Sequence, residues 1–441
     1  MRTQERLQQW DYLIVTASND TQARGYENQL AVRRELGLLG GVGRTLVVAD
    51  PGGRRVGSGG STLYCLLEVL NRQLGDVAGR RSDAWREVLG DLRILIIHAG
   101  GDSRRLPAYG PCGKIFVPAP GESDSAVYLS LFDKQLPIYL GMGRSPHGRG
   151  QIVITSGDVL LWFDPRSVRF ADEGITGLSC LAPPQQAARH GVFCPGRDGR
   201  VRIYLQKPSP AEQEACGALD AYGQAWLDIG VMNFDADTAV RLLEIFGAGP
   251  SSGGRLHLAG EMGHAINQWG LDFYREVCCA MGTEASSAEH VRAAKASGSQ
   301  WSENLLGRVF AGVSTIGFSA QLLHPCEFLD FGACRRLIDS GTRLVQEERG
   351  ITHLRRYLDV NNAVGEGGSV QGWGSWVEGC RINATMTLGG ENLVAGIDVD
   401  GPLQLPRGAC LDVIDGTDDK GRAVSFVRCY GLDDRMKVTV D

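Results

Sequence analysis

Residues 92–114 read LRILIIHAGGDSRRLPAYGPCGK, and this stretch decides how the rest of the chain is interpreted. An apolar run ends in Gly100 and Gly101, which permit positive φ and a close approach of the backbone to a ligand. Two arginines and Lys114 then add three positive charges. Guanidinium forks and an ammonium point charge suit phosphate oxygens. The stretch therefore predicts a strand that ends in a phosphate-binding loop, with a solvated turn as the alternative.

Two common phosphate-binding motifs are excluded by single positions. A P-loop requires glycine at position 108 and Ser or Thr at position 115, where this chain has Ala108 and Ile115. The dinucleotide-binding pattern G-x-G-x-x-G fails in GSGGST, residues 57–62, because Thr62 takes the place of the last glycine. The loop after residue 98 is therefore expected to serve another kind of phosphate chemistry.

The composition is that of an ordinary globular protein, with 43% hydrophobic and 22% charged residues among 441. A net charge of -6 argues against a general nucleic-acid or anionic-membrane partner. No apolar run approaches the length that spans a bilayer. The twelve cysteines are scattered without a C-x-x-C pair, which fits reduced thiols. We therefore expect a cytoplasmic protein.

Apolar runs alternate with helical patterns in the first third, which is typical of a parallel sheet with helices on both faces. A further helix is predicted to begin after Asp235 or Asp237 and to stop at Gly247. We expect an α/β domain over residues 1–325, with a helical insertion near 248–300. The early predicted elements are strands YLIVTAS (12–18), TLVVADP (45–51) and LRILIIHAG (92–100), and helices TQARGYENQLAVRREL (21–36) and STLYCLLEVLNRQL (61–74).

The sequence changes character after about residue 360. Short apolar pieces are separated by glycine, asparagine and aspartate, with little helical periodicity. Such spacing suggests β-solenoid coils, and a small sandwich is the alternative. We therefore expect a connector over residues 326–360 and a β-helical domain over residues 361–441.

The segment HAGGDSRRL resembles the signature L-x-G-G-x-G-T-R-L of the sugar-1-phosphate nucleotidyltransferases. Ser103 and Arg104 stand where that signature has glycine and threonine. Together with VGSGGSTL (56–63) and SGDVLLWF (156–163), it resembles the GDP-fucose pyrophosphorylase domain of the bifunctional L-fucokinase/fucose-1-phosphate guanylyltransferases. This resemblance implies a Rossmann-like nucleotidyltransferase domain followed by a short β-helical tail. The matching positions are Gly100, Gly101, Arg105 and Leu106, with Lys114 as the lysine that follows the signature.

The resemblance also implies a reaction, in which L-fucose 1-phosphate and GTP give GDP-L-fucose and pyrophosphate with Mg²⁺. Lys207 lies in a segment similar to the one that grips the sugar phosphate. Simpler roles stay open: a turn former at Asp158, a loop charge at Lys207, a structural carboxylate at Asp228, and a tight strand-to-helix turn at residues 57–62. The implied residues are Arg105, Lys114 and Asp158 for catalysis, Asp158 for the metal, Gly59, Gly60, Gly100, Gly101, Ser103 and Arg104 for the nucleotide, and Lys207 and Asp228 for the sugar phosphate.

Other functions and partners stay open at this point. The substrate is alternatively another sugar 1-phosphate or another nucleotide, UTP first. The changes at Ser103 and Arg104 also fit a non-catalytic domain that binds nucleotide sugars. We expect no fucokinase activity from these 441 residues, although a fused or separate fucokinase is a possible partner. The C-terminal region is a candidate for homo-oligomerisation.

Overall fold

The computed structural model describes residues 9–75, 82–101, 103–120, 129–145, 150–349, 358–434 and 436. The strands are β1 (Trp10–Ala17), β2 (Val42–Ala49), β3 (Arg93–His98), β4 (Gln151–Ser156), β5 (Val159–Trp162), β6 (Ile175–Ala182), β7 (Gly191–Pro195), β8 (Val201–Gln206), β9 (Ala225–Phe234), β10 (Ala248–Pro250), β11 (Leu256–Leu258), β12 (Phe318–Leu322), β13 (Glu327–Asp330), β14 (Leu358–Val360), β15 (Ala363–Val364), β16 (Ser369–Gln371), β17 (Trp376–Glu378), β18 (Arg381–Ile382), β19 (Thr385–Leu388), β20 (Leu393–Ala395), β21 (Asp398–Val399), β22 (Leu403–Leu405), β23 (Ala409–Thr417) and β24 (Ala423–Gly431). The helices are α1 (Asp20–Glu35), α2 (Gly57–Leu74), α3 (Ser82–Gly90), α4 (Leu131–Leu140), α5 (Pro184–Ala187), α6 (Pro210–Ala215), α7 (Ala236–Ile245), α8 (Gly260–Trp269), α9 (Ser287–Ala296), α10 (Glu303–Val313) and α11 (Cys334–Arg349). Within these residues no helix is both long and apolar enough to cross a bilayer.

The chain divides into two compact units, and neither is a single continuous segment. Unit 1 contains Met1–Gly101, Pro137–Ser156 and Leu161–Phe328. Unit 2 contains Asp102–Leu136, Gly157–Leu160 and Leu329–Asp441. Residues 92–114 therefore contribute strand β3 to unit 1, and Arg104, Arg105 and Lys114 to unit 2.

Unit 1 is built on a large, mostly parallel sheet, so the predicted α/β class is confirmed. Its main path runs β12-β6-β9-β4-β3-β1-β2, and β7 and β8 extend from β9. Strands β2, β1, β3 and β4 are parallel, whereas β9 runs antiparallel to both β4 and β6. The side chains of β1, β3 and β4 are buried on both faces of the sheet, which explains their continuous apolar sequences.

Helix α7 begins and ends where the sequence predicts. The Asp235 side chain accepts a hydrogen bond from the N–H of Thr238, and Gly247 follows the helix with a φ of +81°. Between residues 248 and 300 the chain forms α8, α9, a π-helical turn at Phe273–Val277 and the short hairpin β10–β11. Helices and helical turns therefore make up much of this segment.

The start of α2 differs from the expectation. The sequence predicts that this helix opens at Ser61, after the glycines, but the structure begins it at Gly57. Gly59 and Gly60 therefore lie in the first turn, where their N–H groups donate to the Leu271 carbonyl at 2.8 and 3.3 Å. A backbone acceptor from a distant segment thus satisfies these N–H groups, which the local sequence does not reveal.

In unit 2 the chain passes repeatedly through three short sheets, here called the C-terminal strand region (residues 358–431). One sheet is β14-β17-β20-β23-β24, and the others are β15-β18-β21 and β16-β19-β22. Successive strands pair in parallel, and Trp376, Leu393 and Cys410 occupy equivalent positions seventeen residues apart. Apolar side chains from all three sheets share one core, and β24 closes the first sheet as an antiparallel partner of β23.

Candidate active site

The loop after β3 is fixed against β1 in unit 1. The N–H groups of Ala99 and Gly100 donate to the Thr16 hydroxyl at 3.0 and 3.2 Å. A Cβ at Gly100 would lie 3.3 Å from the carbonyl carbon of Ala17, and Gly101 has a φ of +112°. Glycine is thus favoured at 100, where an added Cβ would lie tightly against backbone, and at 101, where φ is positive. The Gly100 N–H therefore already has a protein acceptor, the Thr16 hydroxyl.

His98 ends β3 beside this loop. Its Nε2 lies 2.9 Å from the Thr62 hydroxyl oxygen. Burial lowers the pKa of His98 to about 4, because the protein interior disfavours the charged imidazolium. The imidazole is therefore neutral near pH 7 and contributes no positive charge for a phosphate.

Gly59 and Gly60, predicted to bind the nucleotide, have a packing role. A Cβ at Gly59 would lie 2.7 Å from Cγ of Leu271, and one at Gly60 would lie 2.9 Å from Cβ of Val56. Both glycines are buried, and both of their N–H groups are used by the Leu271 carbonyl. Neither N–H is therefore available to a phosphate in this structure, and a role of these glycines in nucleotide binding stays a prediction.

Asp228 is a buried carboxyl group held by two protein donors. It is 4% exposed, Tyr204 donates its hydroxyl to Oδ2 at 2.7 Å, and the Gly230 N–H donates to Oδ1 at 2.7 Å. Burial raises the pKa of Asp228 to about 6, and these two hydrogen bonds oppose the rise. The carboxyl is oriented by the protein and titrates within the range where enzymes work.

Lys207 lies just beyond β8 on the surface of unit 1. Its side chain is exposed, its N–H donates to the His190 carbonyl at 2.9 Å, and its φ is +54°. A left-handed backbone at a residue other than glycine is uncommon and costs about 1–2 kcal/mol. The structure thus shows Lys207 at an unusual turn, in the same β7–β8–β9 portion of the sheet as Asp228.

In unit 2 the structure brings together the three residues predicted to be catalytic. The Lys114 Nζ donates to Asp158 Oδ2 at 3.2 Å and to the Gly332 carbonyl at 2.9 Å. A Cβ placed on Gly332 would lie 2.8 Å from Asp158 Oδ2 and 3.5 Å from Arg105 Nη2. The Lys114 and Asp158 side chains are 16% and 30% exposed, so this ion pair lies partly out of water.

Asp330 is a fourth member of this cluster, and no sequence motif marks it. Its Oδ1 accepts the Gly332 N–H at 2.7 Å and lies 2.9 Å from the position of a Cβ on Gly332. Burial and the Asp158 charge raise the pKa of Asp330, whereas Arg105 and Lys114 oppose the rise. The local sequence LDFG is typical of any strand end, so no signal pointed to residue 330.

Ser103 and Arg104 come between the glycines and Arg105. Ser103 has a φ of +49°, in the region that favours glycine, and glycine is the residue of the family signature there. The Ser103 carbonyl accepts the Leu106 N–H at 2.7 Å, which closes a tight turn. Arg104 is exposed. The serine therefore adopts a backbone conformation that favours glycine and adds a hydroxyl.

The oxygen donors of Asp158 and Asp330 fit Mg²⁺ of the kind that bridges protein and substrate. Mg²⁺ prefers hard oxygen ligands and is commonly held by one or two carboxylates, with phosphates and water completing its octahedron. Across the described residues, no group of three or more His, Cys, Asp or Glu side chains is placed to hold a metal ion. The two carboxylates of this cluster are thus the groups that would hold such an ion.

Known proteins with similar sequences carry guanylyltransferase names. The chain is 28% identical to the L-fucokinase/L-fucose-1-P guanylyltransferase of Bacteroides fragilis over 88% of its own length and 37% of that protein. It is 34% identical to the fucose-1-phosphate guanylyltransferase of Mus musculus over 42% of its own length and 29% of that protein. The chain therefore spans well under half the length of these relatives.

A solved structure titled mannose-1-phosphate geranyltransferase, from Thermus thermophilus, aligns with 96% of both chains at 13% identity, but its TM-score of 0.33 is too low to characterise the fold. The family comparison covers most of the chain, because the fucose pyrophosphorylase domain family matches residues 86–441. This match includes Arg105, Lys114, Asp158 and Asp330. The chain therefore belongs to the fucose pyrophosphorylase domain family.

Proposed function

We propose that this chain catalyses nucleotidyl transfer between GTP and L-fucose 1-phosphate, giving GDP-L-fucose and pyrophosphate. The observation that carries the proposal is the cluster of Arg105, Lys114, Asp158 and Asp330 in a member of this family. The names of the Bacteroides fragilis and Mus musculus relatives support the choice of sugar and nucleotide.

The chemistry needs charge neutralisation more than proton transfer. An oxygen of the sugar phosphate attacks the α-phosphorus of GTP, so a P–O bond forms there while the P–O bond to the β-phosphate breaks. The attacking phosphate is already an anion, and the reaction requires no general base. Arg105 binds phosphate oxygens as a fork and Lys114 as a point charge. Both cations stabilise the negative charge that develops on the departing pyrophosphate.

The proposed cofactor is Mg²⁺, held by Asp158 and Asp330. When bound, the ion would supply positive charge to the phosphate oxygens of the substrate. The Lys114–Asp158 pair keeps both side chains ordered in the absence of substrate. A substrate phosphate then replaces Asp158 as the partner of the Lys114 ammonium group.

In the same proposal, the remaining predicted residues bind the rest of the substrates. The Gly101 backbone, Ser103 and Arg104 contribute to the nucleotide site, with Gly100 shaping the loop. Lys207 grips the sugar phosphate through its exposed side chain. Asp228, oriented by Tyr204, accepts a hydrogen bond from a sugar hydroxyl.

The C-terminal strand region is interpreted as a β-helix. Support comes from the recurrence of three parallel sheets, and from the repeated pairing seventeen residues apart.

The outer strands of the C-terminal strand region are candidates for assembly of this chain with itself. Sedimentation of the purified protein at several concentrations tests this assembly. A kinase that phosphorylates L-fucose is the class of enzyme expected to supply the sugar phosphate.

The test of the function is a pyrophosphate-release assay with GTP, UTP, ATP and CTP, each with L-fucose 1-phosphate and, in a second series, with other sugar 1-phosphates. Release with GTP and L-fucose 1-phosphate, at a kcat/KM at least about tenfold above the other nucleotides, is the expected result. Preference for UTP or for another sugar phosphate would replace the proposed substrates. Binding of GDP-sugar by calorimetry without release from any nucleotide would overturn catalysis and favour a regulatory binding domain.

A further inference from the structure

The loop that carries Arg105 and Lys114 holds a buried tyrosine midway between them. Tyr109 ends a 3-10 turn, Pro107–Tyr109, and its side chain is 3% exposed. Its hydroxyl donates to Glu378 Oε2 at 3.1 Å and accepts the Trp376 Nε1–H at 3.0 Å. Both partners lie on β17, so the C-terminal strand region binds the loop through one side chain.

A second contact joins the same loop to β24. Arg428 donates from Nη2 to the Pro107 carbonyl at 2.8 Å. The guanidinium of Arg428 is itself fixed by Asp412, which is buried and accepts its Nε–H at 2.7 Å. Arg428 therefore reaches the loop from a defined position and not as a flexible surface side chain.

These contacts are costly to remove. Trp376 is fully buried, and an indole N–H in such a place needs an acceptor. Burial of the Glu378 carboxyl group raises its pKa, and the hydrogen bond from the Tyr109 hydroxyl opposes that rise. Loss of the Tyr109 hydroxyl would leave a donor and an acceptor unpaired at once.

The middle of the loop is short and rich in turn-forming residues. Between Tyr109 and Lys114 the sequence is Gly-Pro-Cys-Gly, with Pro111 and Cys112 exposed and Gly113 at a φ of +73°. Such a segment has no regular structure of its own, and side chains on loops are placed accurately only when a rigid scaffold supports them.

We propose that the C-terminal strand region positions the phosphate-binding cations, with Tyr109, Trp376, Glu378 and Arg428 as positioning residues. The inference rests on the proposed function for the roles of Arg105 and Lys114. It assigns this region a part in catalysis within each chain, independent of any role in assembly. Misplacement of a binding group by a fraction of an ångström is expected to weaken triphosphate binding by about tenfold.

The deciding comparison is Tyr109→Phe against Val399→Ala, both in the full-length chain. Val399 is 3% exposed on β21 and belongs to the core of the C-terminal strand region, so its truncation destabilises the same region without removing a loop contact. We expect Tyr109→Phe to raise KM for GTP and the Kd of inorganic pyrophosphate about tenfold at a temperature where both variants are folded. Val399→Ala should lower the melting temperature and leave both constants nearly native. Equal affinities for the two variants would overturn the proposal.

Glu378 offers a rescue test that does not depend on Tyr109. Glu378→Gln keeps an oxygen acceptor for the Tyr109 hydroxyl and should bind pyrophosphate like the native chain. Glu378→Leu removes the acceptor and should behave like Tyr109→Phe. If Gln and Leu give the same affinity, the hydrogen bond has no positioning role.

Hydrogen exchange separates failure of this inference from failure of the proposed function. Faster exchange of the amides of residues 103–114 is expected in Tyr109→Phe and not in Val399→Ala, with no substrate present. A native chain that releases no pyrophosphate would refute the function while leaving this measurement decisive. Unchanged exchange in Tyr109→Phe would refute the positioning role even in an active enzyme.

Discussion

Gly332 offers a perturbation of one methyl group at the centre of the proposed site. A Cβ there would lie 2.8 Å from Asp158 Oδ2 and 2.9 Å from Asp330 Oδ1, whereas ordinary contacts begin near 3.4 Å. In Gly332→Ala each carboxylate must therefore move by about 0.5 Å, a distance estimated from these contacts. Overpacking of this kind costs roughly 1–3 kcal/mol of stability.

The same displacement is also expected to slow catalysis. Because misplacement of a catalytic group by 1 Å can lower a rate by roughly a hundredfold, a shift of half that size predicts about a tenfold loss of kcat/KM. The assay is pyrophosphate release from GTP and L-fucose 1-phosphate, with thermal unfolding measured in parallel. Gly401→Ala is the matched control, since it lies in unit 2 and an added Cβ meets nothing within 4 Å. Native kcat/KM in Gly332→Ala would refute the claim that these two carboxylates act at the reaction centre.

Four further outcomes are expected. Lys114→Ala should lower turnover by about a hundredfold with melting nearly unchanged, because it removes one preorganised cation; near-native turnover would contradict the proposed role. Ser103→Gly should raise the free energy of unfolding by roughly 0.5 kcal/mol, since relief of the left-handed backbone slightly exceeds the entropy that glycine adds to the unfolded chain; Ser103→Ala should not stabilise. Burial lowers the pKa of His290 to about 4 from its ordinary 6.5, so the neutral imidazole makes its full contribution to the free energy of unfolding above pH 6.5. That contribution falls by roughly 3 kcal/mol as the pH drops to 4. Urea unfolding at a series of pH values should show a smaller loss of stability in acid for His290→Leu than for the native chain. Removal of divalent cations with EDTA should abolish pyrophosphate release, and Mg²⁺ should restore it.

The sequence predicted the parts of the fold that depend on local periodicity. Strands β1 and β3 and helices α1 and α7 follow from continuous apolar runs, helical spacing and the Asp235 cap. The start of α2 was missed because its N–H groups are satisfied by Leu271, a partner that lies far along the chain, beyond β11 and α8. No local pattern reports such a partner.

The candidate site likewise contains some residues that local sequence patterns predict and others that only tertiary contacts reveal. Lys114 and Asp158 were predicted together because a motif and a strand end marked them, and the structure places them 3.2 Å apart. Asp330 and the contacts of Tyr109 with Trp376 and Glu378 could not be predicted from the sequence. They join segments that are distant in sequence, through side chains that form no recognisable motif. Their roles follow only from three-dimensional proximity.

The charge balance of the cluster explains why the proposed reaction should depend on a divalent cation. Arg105 and Lys114 bring two positive charges, and Asp158 and Asp330, where both are ionised, bring two negative charges. Opposite charges in one cluster offset part of the free-energy cost of removing each of them from water. The same neutrality leaves little spare positive charge for two polyanionic substrates. The proposal therefore requires additional positive charge to arrive with the nucleotide, and the two carboxylates are the groups that would receive it.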